Sequence, residues 1–250
     1  MLNDENQWRV TDPHDRRKLK SDMGDLGPHA TALQRAKIQE RITGLRNRIT
    51  SWFYIQALYI PGTTLLRAEE QCTGPSRSTE IQIYDIRLWL PSEIKYRTAC
   101  DQVLQHIEWE LREAQANDAL NCIRQNLRIN SFLTKRKKDW ARGVKANTRS
   151  LNAIQQNLSK MRTTVEKYRA AHGALAALEP LISKSGQWRT VLRDLADEDI
   201  RGLLVDGLGE GRRVLSWIWM APGVFDGGAN METDPSLHDG ERCDQIQKTK

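Results

Sequence analysis

The chain has 250 residues, 39% apolar and 28% charged, with a formal net charge of +6. That balance suits elongated helices that bury a narrow stripe, and argues against a compact enzyme with a thick interior. No stretch is apolar for the roughly 18 residues a membrane-spanning helix needs, and the polar run after Met1 does not read as a signal peptide.

The cysteines Cys72, Cys100, Cys122 and Cys243 form no CxxC pair and no Cys/His cluster. Neither a zinc site nor a disulfide framework is expected, no cofactor is indicated, and a reducing intracellular setting is the default.

Residues 1–28 are polar and carry Asp12-Pro13, Gly24, Gly27 and Pro28, with a small basic run at Arg16, Arg17, Lys18 and Lys20. The composition predicts a flexible N-terminal segment with at most a short turn of helix. A helical domain is expected over 29–220. Its first helix starts after Pro28, buries Ile38, Ile42, Leu45, Ile49 and Trp52 at 4-3-4-3 spacing, and ends before Pro61-Gly62. The dense end Trp52, Phe53, Tyr54, Tyr59 and Ile60 reads as a plug docking on a longer helix; the other reading is an exposed platform for bases.

A second helix is expected over Thr64 to Gln71, then a loop at Thr73 to Ser76. Ile81 to Leu90 alternates only in part and has no strand partner, so it is predicted as an apolar connection packed on helices. Leu90-Pro91-Ser92-Glu93 predicts a helix start with Ser92 as N-cap.

Between Pro91 and Pro180 lie 88 residues with no proline and two glycines, Gly143 and Gly173. Their composition permits helix throughout. Cys100, Leu104, Ile107, Leu111 and Ala114 form one seam, and Leu120, Ile123 and Leu127 resume it in a shifted phase, the mark of a stutter or a break. Leu151, Ile154, Leu158, Met161, Val165, Tyr168, His172 and Leu175 form a second seam at 3-4-3-4 spacing, a coiled-coil or long-bundle signature. One unbroken rod of that length would reach about 130 Å, so a hairpin over about 92–179 is expected, reversing at Ser131 to Asp139, with Gly143 as the second candidate.

Beyond Pro180, Trp188, Val191, Leu192, Leu195, Ile200, Leu203 and Leu204 suggest short helices, and Gly207, Gly209 and Gly211 a loop. Trp217 and Trp219 sit in a short apolar segment. Residues 221–250 are expected to form a disordered tail. The fold class is therefore all-α: an elongated helical hairpin or coiled-coil-like bundle with disordered ends.

No catalytic constellation is found. Gly207-x-Gly209-x-Gly211 lacks the lysine and hydroxyl of a phosphate loop, no HExxH or GxSxG occurs, and the histidines are scattered. Glu108 and Glu110 are a carboxylate pair that chance explains among 32 acids. The positive chemical signal is Ile123 to Arg149, with nine Lys/Arg against the single acid Asp139, on a chain otherwise close to neutral. Arg124, Arg128, Lys135, Arg136, Lys137, Lys138, Arg142, Lys145 and Arg149 form a candidate phosphate-binding patch without sequence readout. Lys135 to Lys138 also match a nuclear-import signal.

Five ordered runs carry a family resemblance: WFYIQALYIPG from Trp52, RINSFLTKRKKDWARGVKANTR from Arg128, EKYRAAHGALAALEPL from Glu166, WRTVLRDL from Trp188 and GRRVLSWIW from Gly211. Together, over roughly residues 29 to 225, they resemble the C-terminal part of KDZ (Kyakuja-Dileera-Zisupton) transposases. The resemblance implies an accessory helical part of a transposase-like protein, truncated relative to the RNase H-like core that bears the family's catalytic acids. None of those acids maps onto this chain. The expectation is a non-catalytic, element-derived protein that contacts nucleic acid through the basic patch. The alternative is a module that self-associates as a coiled coil through Leu151 to Leu175.

Overall fold

The computed structural model describes residues 13–24, 26–27, 30–73, 82–184, 186–202 and 215–221. Among them the chain is helical, with no strand: α1 (Pro13–Gly24), α2 (Ala32–Tyr59), α3 (Thr63–Thr73), α4 (Pro91–Ile94), α5 (Gln102–Trp140), α6 (Val144–Leu178) and α7 (Trp188–Val191), followed by 3-10 turns at Asp197–Asp199 and Trp217–Trp219. The expected all-α hairpin is present, as α5 packed along α6.

Helix α1 falls where a flexible lead-in was expected. Its Leu19 is buried with Leu45 and Ile49 of α2 and with Ile83, Leu88 and Leu90. Arg16, assigned to a basic run, instead donates to the backbone carbonyls of Tyr84 (Nη2 at 2.8 Å) and Ile86. A guanidinium serves two carbonyls that no strand partner would satisfy. Burial lowers its pKa, offset in part by Glu93 and Asp85.

Helix α2 opens on a capping box: Gln34 N donates to Thr31 Oγ1 at 3.3 Å, and Thr31 N donates to Gln34 Oε1 at 2.8 Å. It closes at the expected Pro61-Gly62 turn. A Cβ on Gly62 would fall 1.9 Å from Thr98 Oγ1, so only glycine lets that corner close on the 95–101 segment.

The aromatic end of α2 docks mainly on the 82–90 connection, while Ile60 is buried with Leu66, Trp89 and Ile94 in a cluster that Leu104 of the long helix α5 packs against. Trp52 Nε1 donates to the Leu88 carbonyl at 3.3 Å, buried Gln56 donates to the carbonyls of Leu88 and Trp89, and the Arg67 guanidinium lies 4.2 Å from the Phe53 ring centre. Tyr54 and Tyr59 face outward. Residues 82–90 form the predicted apolar connection, with no strand.

The Pro91 to Pro180 stretch is not one continuous helical run. Helix α4 stops after one turn because Lys95 adopts a left-handed backbone (φ 53°), and α5 starts afresh on Asp101, whose carboxylate accepts from Val103 N at 2.9 Å. The N-cap position of α4 belongs to Leu90, with Pro91 at the first helical position. Ser92 lies inside the helix, where N and Oγ donate to Glu108 Oε2 and Oε1 at 2.8 and 2.7 Å. Glu108 also takes Arg112 Nε at 3.2 Å. One carboxylate thereby ties α4 to α5, and its burial is compensated by three donors.

The phase shift in the first seam marks a change of face, not a break, since α5 runs unbroken from Gln102 to Trp140. Its buried face is Gln105, Glu108, Trp109, Ala116, Ala119, Leu120, Ile123, Arg124 and Leu127. Leu104, Ile107 and Leu111 look away from α6 into a cleft of about 350 Å³ opposite Ile55 and Tyr59 of α2; Ile107 and Leu111 are exposed, and so is Ala114.

On α6, Val165, Tyr168, Ala171, Leu175 and Leu178 are buried, and the small Ala116, Ala119 and Ala171 let the helices approach closely. Each arm is about 50–60 Å long. Residues 181–184, 186–202 and 215–221 lay a third layer over the base of the hairpin. Trp109 and Trp188 meet edge-to-face at 5.5 Å between ring centres, Tyr168 Oη donates to the Arg193 carbonyl at 2.6 Å, and Trp219 Nε1 donates to the Arg201 carbonyl at 3.0 Å. His172 packs between the Tyr168 and Trp188 rings, and burial lowers its pKa.

Candidate nucleic-acid interface

The reversal falls at Ala141–Gly143, so the second candidate position is the turn and Ser131 to Asp139 are helical. Ser131 and Thr134 do not stop α5; Ser131 Oγ bonds back to the Leu127 carbonyl at 3.1 Å within the helix. Gly143 decides the position. Its φ of 81° and ψ of 163° lie in a region open in practice to glycine alone. The chain then re-enters helix, with Asn147 N bonded to the Gly143 carbonyl. Below the turn, buried Asn157 donates to the Asn126 carbonyl at 2.9 Å and fixes the register of the arms.

The basic patch therefore rides on the last turns of α5 and the first turns of α6. Lys137 and Lys138 sit in the last turn of α5, where their charge suits the negative end of the helix dipole. Lys135, Arg136, Lys138, Arg142, Lys145 and Arg149 are exposed and Lys137 half-exposed. No ion pair engages any of them among the described residues. Arg128 is exposed, with its guanidinium 5.5 Å from the Trp219 ring centre. These cations are available to a polyanion.

Arg124 is a correction. It is 3% exposed, donating Nε to the Ile218 carbonyl at 2.7 Å and Nη2 to the Ala221 carbonyl at 3.1 Å. Its helical spacing with Arg128 had placed it on the patch, but the Trp217–Trp219 turn folds over it. Its pKa is lowered by burial and by Arg128. It holds the third layer and cannot meet a phosphate.

The second seam is likewise spent inside the chain. Val165, Tyr168 and Leu175 are in the core, Met161 packs against it, and Ile154 and Leu158 are half-buried. Of the seam residues only Leu151, near the tip, is exposed, at 42%. A second copy cannot use Val165, Tyr168 or Leu175 while the hairpin stays folded.

Two aromatic residues at the tip carry no helical spacing signal of their own. Trp140 is 79% exposed and Phe132 is 62% exposed. Phe132, Lys135, Arg136, Asp139 and Trp140 line a hollow of about 450 Å³, and Arg136 and Trp140, one turn apart, also border a second hollow with Arg149. Large rings interleaved with cations in FLTKRKKDW were the available signal.

Other candidates resolve plainly. Cys72, Cys100 and Cys122 are free, and burial raises the Cys100 pKa. No group of His, Cys, Asp and Glu among the described residues is arranged to hold a metal. Among the described residues no helix is long and apolar enough to cross a membrane. Gly207, Gly209 and Gly211, Cys243 and residues 222–250 lie outside the described residues. Comparison with family models, curated proteins and solved structures returned no match.

Proposed function

We propose that this chain is a non-catalytic, nucleic-acid-contacting helical protein, acting as the accessory part of a transposase-like system. The tip of the α5–α6 hairpin is the contact surface. The observation that carries the reading is the set of seven cations from Lys135 to Arg149 crowded around one turn and engaged by no carboxylate among the described residues. Such a cluster repels itself, and a polyanion relieves that repulsion while releasing counterions. The transposase context rests on the five sequence runs alone.

The test is binding of labelled DNA by fluorescence anisotropy across a salt series. Replacing Lys135, Arg136, Lys137 and Lys138 by Ala lowers the salt slope by about 3 to 4 if each neutralises one phosphate. Unchanged affinity in that variant would sink the proposal.

A further inference from the structure

We infer that the tip takes single-stranded nucleic acid, with unpaired bases stacked on Trp140 and Phe132 while the neighbouring cations hold the phosphates. This deepens, and rests on, the nucleic-acid reading above. Trp140 is the one fully exposed tryptophan among the described residues; Trp89, Trp109, Trp188 and Trp219 are buried, and Trp52 and Trp217 half-buried. The fold finds cover for every other described indole and leaves this ring in water, in the middle of the basic patch. Phosphate binding alone gives an indole no role. A base face gives it one, because stacking on an aromatic ring is favourable and tolerant of sequence.

The hollow favours a strand over a duplex. Paired bases keep their faces inside the stack, and only an unpaired base can lay its face on a ring. Phe132 and Trp140 border this open surface groove along one face of α5, with Lys135 and Arg136 between them. Asp139 lines it too. Its carboxylate disfavours a phosphate inside the hollow and leaves the space to a neutral base, with the phosphates outside on the cations. Arg136 and Trp140 carry the same pairing into the second hollow, where Arg149 adds a cation from α6. The strand's path then crosses the turn from one arm to the other.

The experiment compares a labelled oligothymidylate of about 15 nucleotides, a duplex of equal length, and phosphatidylcholine/phosphatidylserine vesicles, all with the full chain. The strand is expected to bind more tightly than the duplex. Trp140→Ala should weaken strand binding by roughly tenfold or more and leave duplex binding within a factor of about two, while Trp140→Phe keeps most of the affinity. An equal loss on duplex and strand, or none on either, overturns the stacking proposal and leaves phosphate binding standing. Vesicle binding abolished by Trp140→Ala, with strand binding untouched, overturns it in favour of a membrane surface. Binding to neither nucleic acid at low salt removes the underlying functional reading itself.

Discussion

At the base of the hairpin Trp109 is 1% exposed and Arg124 3%; at its tip Trp140 is 79% exposed and Arg136 stands in solvent. All four lie on the same helix, α5. The difference is the third layer. The described residues of 186–202 and 215–221 cover the base, turning tryptophans into core and Arg124 into a clamp for the Ile218 and Ala221 carbonyls. Nothing among the described residues reaches the tip, so the same residue types stay available there. The lesson is that a residue's role along a long helix is set by what crosses it.

The sharpest way to break this contrast is Trp109→Ala, expected to cost about 4 kcal/mol in chemical denaturation, because the Trp188 ring loses its edge-to-face partner. Arg124→Ala comes next, at about 3 kcal/mol, since it strands two buried carbonyls; a cost near zero would return Arg124 to the surface patch. Gly143→Ala should cost about 2 kcal/mol. No neighbour lies within 4 Å of the added methyl, so the loss is backbone strain alone.

A smaller, pH-dependent effect tests the base. The His172 pKa is lowered, chiefly by burial, with Asp194 acting the other way. A group more easily protonated when unfolded keeps its full contribution above its unfolded pKa, about 6.5, and loses it as pH falls through the folded value. The melting temperature should therefore fall between pH 7 and pH 5, and His172→Gln should flatten that slope. Glu93 opposes it, because burial raises its pKa and protonation relieves the cost on the way down. Smallest of all, Phe132→Ser with Trp140→Ser should move stability by less than about 0.5 kcal/mol. A larger loss would mean that the tip rings pack in the folded chain.

Periodicity and punctuation made much of the fold legible. The α2 face, its stop at Pro61-Gly62, the strandless connection before Pro91 and the seam of α6 all follow from spacing and from proline and glycine. The break at Lys95–Asp101 escaped because it depends on one left-handed lysine held by contacts such as Thr98 on Gly62, not on a breaker residue. The turn was misplaced because four consecutive charges read as wanting water, and an exposed helix end gives them water equally well. The candidate site was legible in its charge and not in its aromatics. Ile107 and Leu111 have core spacing and yet line an open cleft, while Phe132 and Trp140 belong to no seam and stand exposed beside the cations.

The sequence by itself determined that this protein is helical, that its longest helices pair, and that positive charge gathers near their junction. Those properties live in local spacing, in the absence of proline and in composition. Tertiary structure alone decided which face of α5 is buried, that Arg124 is a clamp and not a contact, and that Trp140 stays in water. Each depends on segments more than 70 residues apart in the chain or on the reach of the third layer, and no local pattern encodes where a distant segment comes to rest.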